Sequence, residues 1–295
     1  MNQNALFVGV TETWLHEGVL DAEVSHGFQG YSILRCDRAG GRQGGGVALY
    51  LRDDLSGDIL ASYAKQHPAR GGSVCEMLVV KVHQLDTVVC VVYRPPDTRL
   101  EEFAGLLQCL DSTLSALPTP TPTVIVMGDM NLPQACISWR RSEDGLLVPI
   151  VAGHREGETA GGKQDRLQAQ QLIDLASKHC LLQEVENPTH AVEILDLVFT
   201  NNCELLSSIV LENWDTFTDH RLVIAHTSYQ YRQEDQEREQ QYLCETGKRY
   251  SALNFIKAPW EEIKVELGQV DWGKMEELAK SCPTSALAEF QDQVL

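Results

Sequence analysis

The chain has 295 residues, 43% of them hydrophobic, and carries 24 basic against 42 acidic side chains, a net charge of −18. That length holds one large domain or two ordinary ones, and the acidic balance argues against strong non-specific nucleic-acid binding through a basic surface. No apolar run reaches the roughly 18 residues of a membrane span. The N-terminus lacks the basic-then-apolar pattern of a signal peptide, and the nine cysteines form no CxxC pair, so an intracellular protein with reduced thiols is expected.

In chain order, the apolar run at 5–10 predicts a short buried strand, and Glu12 stands in the segment that closes it. Strands are predicted at 31–34 and 47–51. The glycine-rich stretch between them, Gly40-Gly41-Arg42-Gln43-Gly44-Gly45-Gly46, leads into a strand rather than a helix. It therefore reads as a wide hairpin turn and not as a phosphate cradle. Residues 75–82 and 87–93 predict an antiparallel hairpin, with Pro95 and Pro96 stiffening its exit so that Tyr93 and Arg94 are held at a strand tip. Leu100, Phe103, Leu107, Leu110, Leu114 and Leu117 recur at helical steps, which predicts a helix over 100–117.

The run Val124-Ile125-Val126-Met127 predicts a strand buried on both faces, ended by Gly128. Asp129 and Asn131 follow with one residue between them. Alternate side chains at a strand end point the same way, so a carboxylate and a carboxamide would project together from the rim of a buried sheet, where α/β folds place their sites. A simple Asp/Asn turn is the plain alternative. Further on, GETAGGKQ at 157–164 has P-loop spacing, but Gln164 replaces the hydroxyl residue that would bind Mg²⁺. A flexible loop is expected there, then a helix capped by Asp165 with Leu167, Leu172, Leu175 and Ala176 on one face. The run 146–152 contains Pro149 and reads as a poor central strand. Residues 194–200 alternate apolar side chains around Asp196, and a carboxylate in the middle of such a strand is costly unless partnered. Strands are predicted at 206–211 and 222–225, with Thr218-Asp219-His220 in the turn before the second. The expected domains are 1–229, a polar linker at 230–250, and a small helical tail at 251–295.

Each of these features is weak alone, but their order is specific. ETWL, GGGVALYL, YRPP, GDMNLP, ILDLVFTN and TDHRLV resemble motifs of the endonuclease/exonuclease/phosphatase superfamily. More closely, they resemble the endonuclease domain of a LINE-type (non-LTR) retrotransposon polyprotein, over residues 5–229. The tail LNFIKAPWEEI…VDW is similar to the connector that leads such domains towards a reverse transcriptase, which would be the partner domain in the parent polyprotein. The resemblance implies an α/β fold of two packed sheets flanked by helices, the four-layer DNase-like arrangement. In the family, a strand bearing an asparagine near the metal precedes the strand that ends at Glu12. Here Met1 stands directly before that second strand, so the first family strand is expected to be lacking. Thr218 stands where the motif has serine, and Pro96 where it often has asparagine.

The resemblance also implies roles. Glu12 and Asp219 would hold Mg²⁺, with Mn²⁺ as the alternative ion. Asp129 would orient and deprotonate the attacking water, and Asn131 would donate to a phosphate oxygen. Asp196 would fix the tautomer of His220 and favour its cation, and Tyr93 would line the scissile phosphate. The implied activity is nicking of DNA to leave a 3′-hydroxyl that primes reverse transcription, in the nucleus and with no membrane contact. Two other readings are a phosphatase or phosphodiesterase of the same superfamily acting on a small or lipid substrate, and a truncated, inactive remnant that only binds. The loops at 35–42 and Arg140-Arg141 are candidates for DNA contact, with solvated loop arginines as the default reading.

Overall fold

Short β-branched runs broken by glycine and proline turns fold into three hydrogen-bonded ladders and three helices among the described residues. The computed structural model describes residues 5–25, 28–38, 44–64, 74–133, 136–143, 146–153, 159–213 and 218–228. The chain divides into two compact units, Met1–Gln241 and Tyr242–Leu295. The linker expected at 230–250 and the helical tail expected at 251–295 lie outside the described residues.

The chain begins with β1 (Phe7–Thr11), α1 (Asp21–Ser25), β2 (Tyr31–Cys36) and β3 (Val47–Arg52). These three strands form a small antiparallel sheet in the order β1-β3-β2. Next come β4 (Gly57–Ala64), β5 (Glu76–Val82), β6 (Thr87–Tyr93), α2 (Leu100–Ser115), β7 (Thr123–Asp129), β8 (Ile137–Arg141), β9 (Leu147–Val151), α3 (Ala160–Lys178), β10 (Leu182–Gln183) and β11 (Asp196–Thr200). Their strands make one mixed sheet of eight, ordered β4-β5-β6-β7-β11-β10-β9-β8. A final hairpin pairs β12 (Leu206–Asn213) with β13 (Arg221–Thr227).

β5 and β6 are apolar at nearly every position because both of their faces are covered. Leu78, Val80, Val82, Val89 and Val91 meet Val47, Leu49 and Leu51 of the small sheet. The alternate residues Met77, Val79, Val88, Cys90 and Val92 share the opposite core with Phe103, Leu106 and Leu110 of α2, and with Ala169 and Leu172 of α3. The protein is thus α/β, with a large mixed sheet, a smaller sheet on one face and helices on the other.

Several expectations are corrected. Residues 146–152, read as a poor strand because of Pro149, are β9; the proline is tolerated because β9 meets β10 only at the pair Gln183 and Leu147. The loop expected up to Gln164 is helical from Ala160. The cap is Thr159, whose side chain accepts a hydrogen bond from Gly162 N, so Asp165 lies inside α3. Leu167 is 36% exposed, and Gln168 takes its place on the buried face. Asp196 is the first residue of β11 rather than its middle. β4, β8 and α1 carry no strong period and were not anticipated.

β6 and β7 run parallel, and their close pairing depends on one residue. Gly128 lies opposite Val92 with φ +140°, and a Cβ there would stand 1.9 Å from the Val92 carbonyl oxygen. β1 settles onto this region through Gly9, where a Cβ would meet Met127 Cε at 2.8 Å. Gly128→Ala is therefore expected to cost about 3 kcal/mol or more, since backbone, not a yielding side chain, is in the way. Urea unfolding measures this, and a loss below about 1 kcal/mol would show that the strands can separate cheaply.

Candidate active site

Strand register builds the site. Glu76 pairs with Tyr93, Tyr93 with Asp129, and Asp129 with Asp196. Residues paired directly across neighbouring strands project to the same face, so the starts of β5 and β11 and the ends of β6 and β7 set four polar side chains in a row at one rim of the large sheet. Tyr93 packs among the residues that face the small sheet, and its hydroxyl donates to Glu12 Oε1 at 2.5 Å. Glu12 is held at φ +52° just past β1. Its segment is tied down by Thr13 N and Trp14 N, which donate to Gly46 O and Gly45 O. Its second carboxylate oxygen accepts from Trp14 Nε1 at 3.3 Å.

Asp129 is 4% exposed. Asn131, at φ +46°, folds back on it: the backbone N donates to Oδ1 at 2.9 Å and Nδ2 to Oδ2 at 2.8 Å. Nδ2 also donates to Arg94 O at 3.0 Å. Both amide hydrogens are thus bonded inside the protein, where Asn131 orients Asp129. Asp196 Oδ2 meets His220 Nδ1 at 2.8 Å. The turn before β11 is fixed by the fully buried Thr189, whose Oγ1 accepts from Leu195 N and Asp196 N. Thr189 O also accepts from Arg221 N at 2.7 Å, which sets His220 beside His190 with ring centroids 4.8 Å apart. His220 N donates to Thr218 Oγ1 at 3.1 Å, so threonine does the work of a small hydroxyl at that position.

Residues 87–224 match a family model described as endonuclease-reverse transcriptase. This part of the chain is similar to the endonuclease/exonuclease/phosphatase superfamily. Solved structures similar to the chain include the endonuclease domain of TRAS1, a telomere-specific non-LTR retrotransposon, at 16% identity over 76% of this chain and 86% of that one, TM-score 0.48. An AP endonuclease from Archaeoglobus fulgidus has 13% identity over 76% and 89%, TM-score 0.49. The human Nocturnin catalytic domain has 12% over 76% and 81%, TM-score 0.43. No curated protein matches the chain.

Of the residues singled out by sequence, the structure brings Tyr93 to Glu12, and joins Asp129, Asn131, Asp196 and His220. Asp219 instead pairs with His190 Nε2 at 3.1 Å. Two sets of side chains among the described residues could hold an ion: Asp129, Asp196 and His220, and separately His190, Asp219 and His220, each with ligating atoms within 4.8 Å of one another. Neither includes Glu12. No described helix is long and apolar enough to cross a membrane.

Sequence reasoning left Arg94 without a supporting role and passed over Glu76, Thr189 and His190. Arg94 is fully buried, with its guanidinium on Gln168 Oε1 at 2.6 Å, Asn131 O at 2.8 Å and Met130 O at 3.2 Å, and paired with Asp165. It grips the loop that carries Asn131. Glu76, also fully buried, pairs with Arg38, whose guanidinium sits 5.9 Å from the Tyr93 ring centroid. Thr189 and His190 stand in a loop with no period to betray them. For Arg94 the signal was present: an arginine between a buried strand and two prolines has nowhere solvated to go.

The charges shift one another. Burial, and then the neighbouring Asp196 carboxylate, raise Asp129 to about 7, against the lowering pull of His220 and the Asn131 N–H. The hydrogen bond to Asp196 raises His220 to about 9, opposed by desolvation. Asp219 is held below the usual carboxylate range by its bond to His190. Burial raises Tyr93, with the bond to Glu12 adding to it, so the phenol stays protonated.

A raised histidine stabilises the fold fully below its unfolded value of 6.5, and that contribution is lost as pH climbs through about 9. In the metal-free protein the His220 ring should therefore titrate near 9 by NMR and fall toward 6.5 in Asp196→Asn; equal midpoints would mean the bond is not made. Arg94→Met should cost about 3–5 kcal/mol, because Asp165, Gln168 and two carbonyls lose their shared donor. Denaturant unfolding reads that loss.

Proposed function

We propose that the chain is a metal-dependent phosphodiester hydrolase that nicks one strand of DNA and leaves a 3′-hydroxyl. The observation that carries this is the row of Tyr93, Asp129 and Asp196 at one sheet rim with His220 bonded to its end, within the segment matched by the endonuclease-reverse transcriptase family model. Glu12 and Asp219 are both exposed carboxylates, and hard oxygen donors with most positions left to water suit Mg²⁺, or Mn²⁺, over a soft ion. Held there, the cation would neutralise charge on the phosphate oxygens.

The remaining work falls to the chain's own groups. Asp129, with a proton affinity near neutrality, accepts a proton from the water that attacks phosphorus. The new P–O bond forms as the bond to the 3′-oxygen breaks, and that oxygen leaves to be protonated from solvent. Asn131 holds both oxygens of Asp129 in place. His220, kept cationic by Asp196, stabilises the negative charge that builds on the equatorial oxygens. Tyr93 fixes Glu12 and borders the phosphate.

Substrate choice follows from shape. Glu12 and Asp219 are open to solvent. An open rim accommodates a polymer backbone and gives a small phosphate ester little to be enclosed by.

Supercoiled plasmid should be converted to the nicked circle with Mg²⁺ and not with EDTA, and a DNA polymerase should extend the nick directly. Asp129→Asn should slow nicking by about 10²–10⁴-fold. Hydrolysis of small phosphate esters by the wild type, with plasmid left intact, would replace this reading with the phosphatase one.

A further inference from the structure

His190 stands outside the machinery just described, yet it shares a cluster with two residues of the site. The ligating atoms of His190, Asp219 and His220 lie within 4.8 Å of one another. His190 Nε2 and Asp219 Oδ2 are already 3.1 Å apart, close to the roughly 3.3 Å edge of a tetrahedron with bonds of about 2.0–2.1 Å. His220 Nδ1 is taken by Asp196, which leaves Nε2 as the nitrogen it can offer. A carboxylate behind a ligating imidazole fixes the ring and raises its basicity, the usual support of an imidazole–metal bond. The side chains of His190 and Asp219 are 33% and 82% exposed, so an ion reaches them from solvent.

The donor set selects the ion. Two imidazole nitrogens and one carboxylate oxygen suit Zn²⁺ and other borderline transition metals far better than Mg²⁺, which favours all-oxygen shells. Three protein ligands leave a fourth position to water. We propose that His190, Asp219 and His220 form a site for a transition-metal ion of the Zn²⁺ class, and that its occupancy switches the hydrolase off. The second half rests on the reading above: a filled site takes Asp219 from the Mg²⁺ shell and His220 from the phosphate at once.

Co²⁺ serves as the probe, since its visible absorption reports nitrogen and oxygen ligation without any turnover. Titrating the full chain with Co²⁺ should give a saturating visible band that Zn²⁺ abolishes and a large excess of Mg²⁺ leaves in place. In His190→Ala the Co²⁺ affinity should fall by at least ~10-fold, and in His190→Gln, which keeps a polar partner for Asp219, it should fall likewise with an unchanged circular dichroism spectrum. No band in the wild type, or a band that persists in both variants, overturns the site. In the plasmid assay with excess Mg²⁺, Zn²⁺ should inhibit wild type, and His190→Ala should need at least ~10-fold more. Equal inhibition of the two overturns the switch while the Co²⁺ result stands, and failure of the chain to nick at all falls on the proposed activity and not on the metal site.

Discussion

Two carboxylates facing each other across a sheet make a costly arrangement, and the rest of this site is organised to sustain it. Asp129 is almost fully buried directly opposite Asp196. Burial and like charge both oppose ionisation there. The opposing forces are local and countable: two donors from Asn131 on Asp129, and the His220 cation on Asp196. Removing either support leaves a buried acid to take up a proton. The balance holds Asp129 near the middle of its titration at neutral pH rather than at either end, as the proposed role of proton acceptor would need.

The supports depend in turn on unusual backbone. Glu12 and Asn131 both lie at positive φ, which side chains other than glycine adopt at some cost. Each is over-determined by neighbours. The segment after Glu12 is bonded to the glycine carbonyls that open β3, and the Asn131 loop is gripped from beneath by Arg94. A buried guanidinium is a poor way to gain stability, since desolvation consumes most of what its bonds return. Its use here is geometric: five donors in one plane, spread over two backbone carbonyls, Gln168 and Asp165, bring the ends of β6 and β7 and the side of α3 to a fixed relation.

Much of this was legible in the sequence wherever burial wrote a period. The doubly covered strands read as unbroken β-branched runs, and α2 read from its leucine spacing, because both patterns follow from what must be hidden from water. Asp129, Asn131 and Asp196 stood out as polar residues beside such runs, whereas His220 drew notice only through the family resemblance. What failed was of two kinds. β8 and β9 leave Val148 and Ile150 about half exposed, so no alternation marks them, and Pro149 pointed the wrong way because partial pairing is invisible in sequence. The helix start at Thr159 was missed because glycines at its first turn outweighed the cap, and Asp165 was taken for that cap when its partner was an arginine 71 positions earlier. The partner of Asp219 was likewise a matter of register: His190 reaches it only because Arg221 N bonds Thr189 O and pairs His190 with His220 across the chain.

The site therefore has two halves with different physics. Tyr93, Asp129 and Asp196 are borne on strands whose both faces are packed, so their positions are fixed before any ligand arrives. Glu12 and Asp219 sit at the solvent edge with their charge unburied. In such a division the rigid half sets geometry and the open half sets occupancy. On the proposed function, it would also reconcile a net charge of −18 with a polyanionic substrate. Without an ion the rim is a cluster of carboxylates that repels phosphate; a divalent ion held on the open carboxylates, as proposed, would reverse the local field while the total hardly changed. Attraction would then be conditional on the metal and confined to the rim, and the acidic remainder of the surface would discourage the broad, sequence-blind adhesion that a basic protein shows.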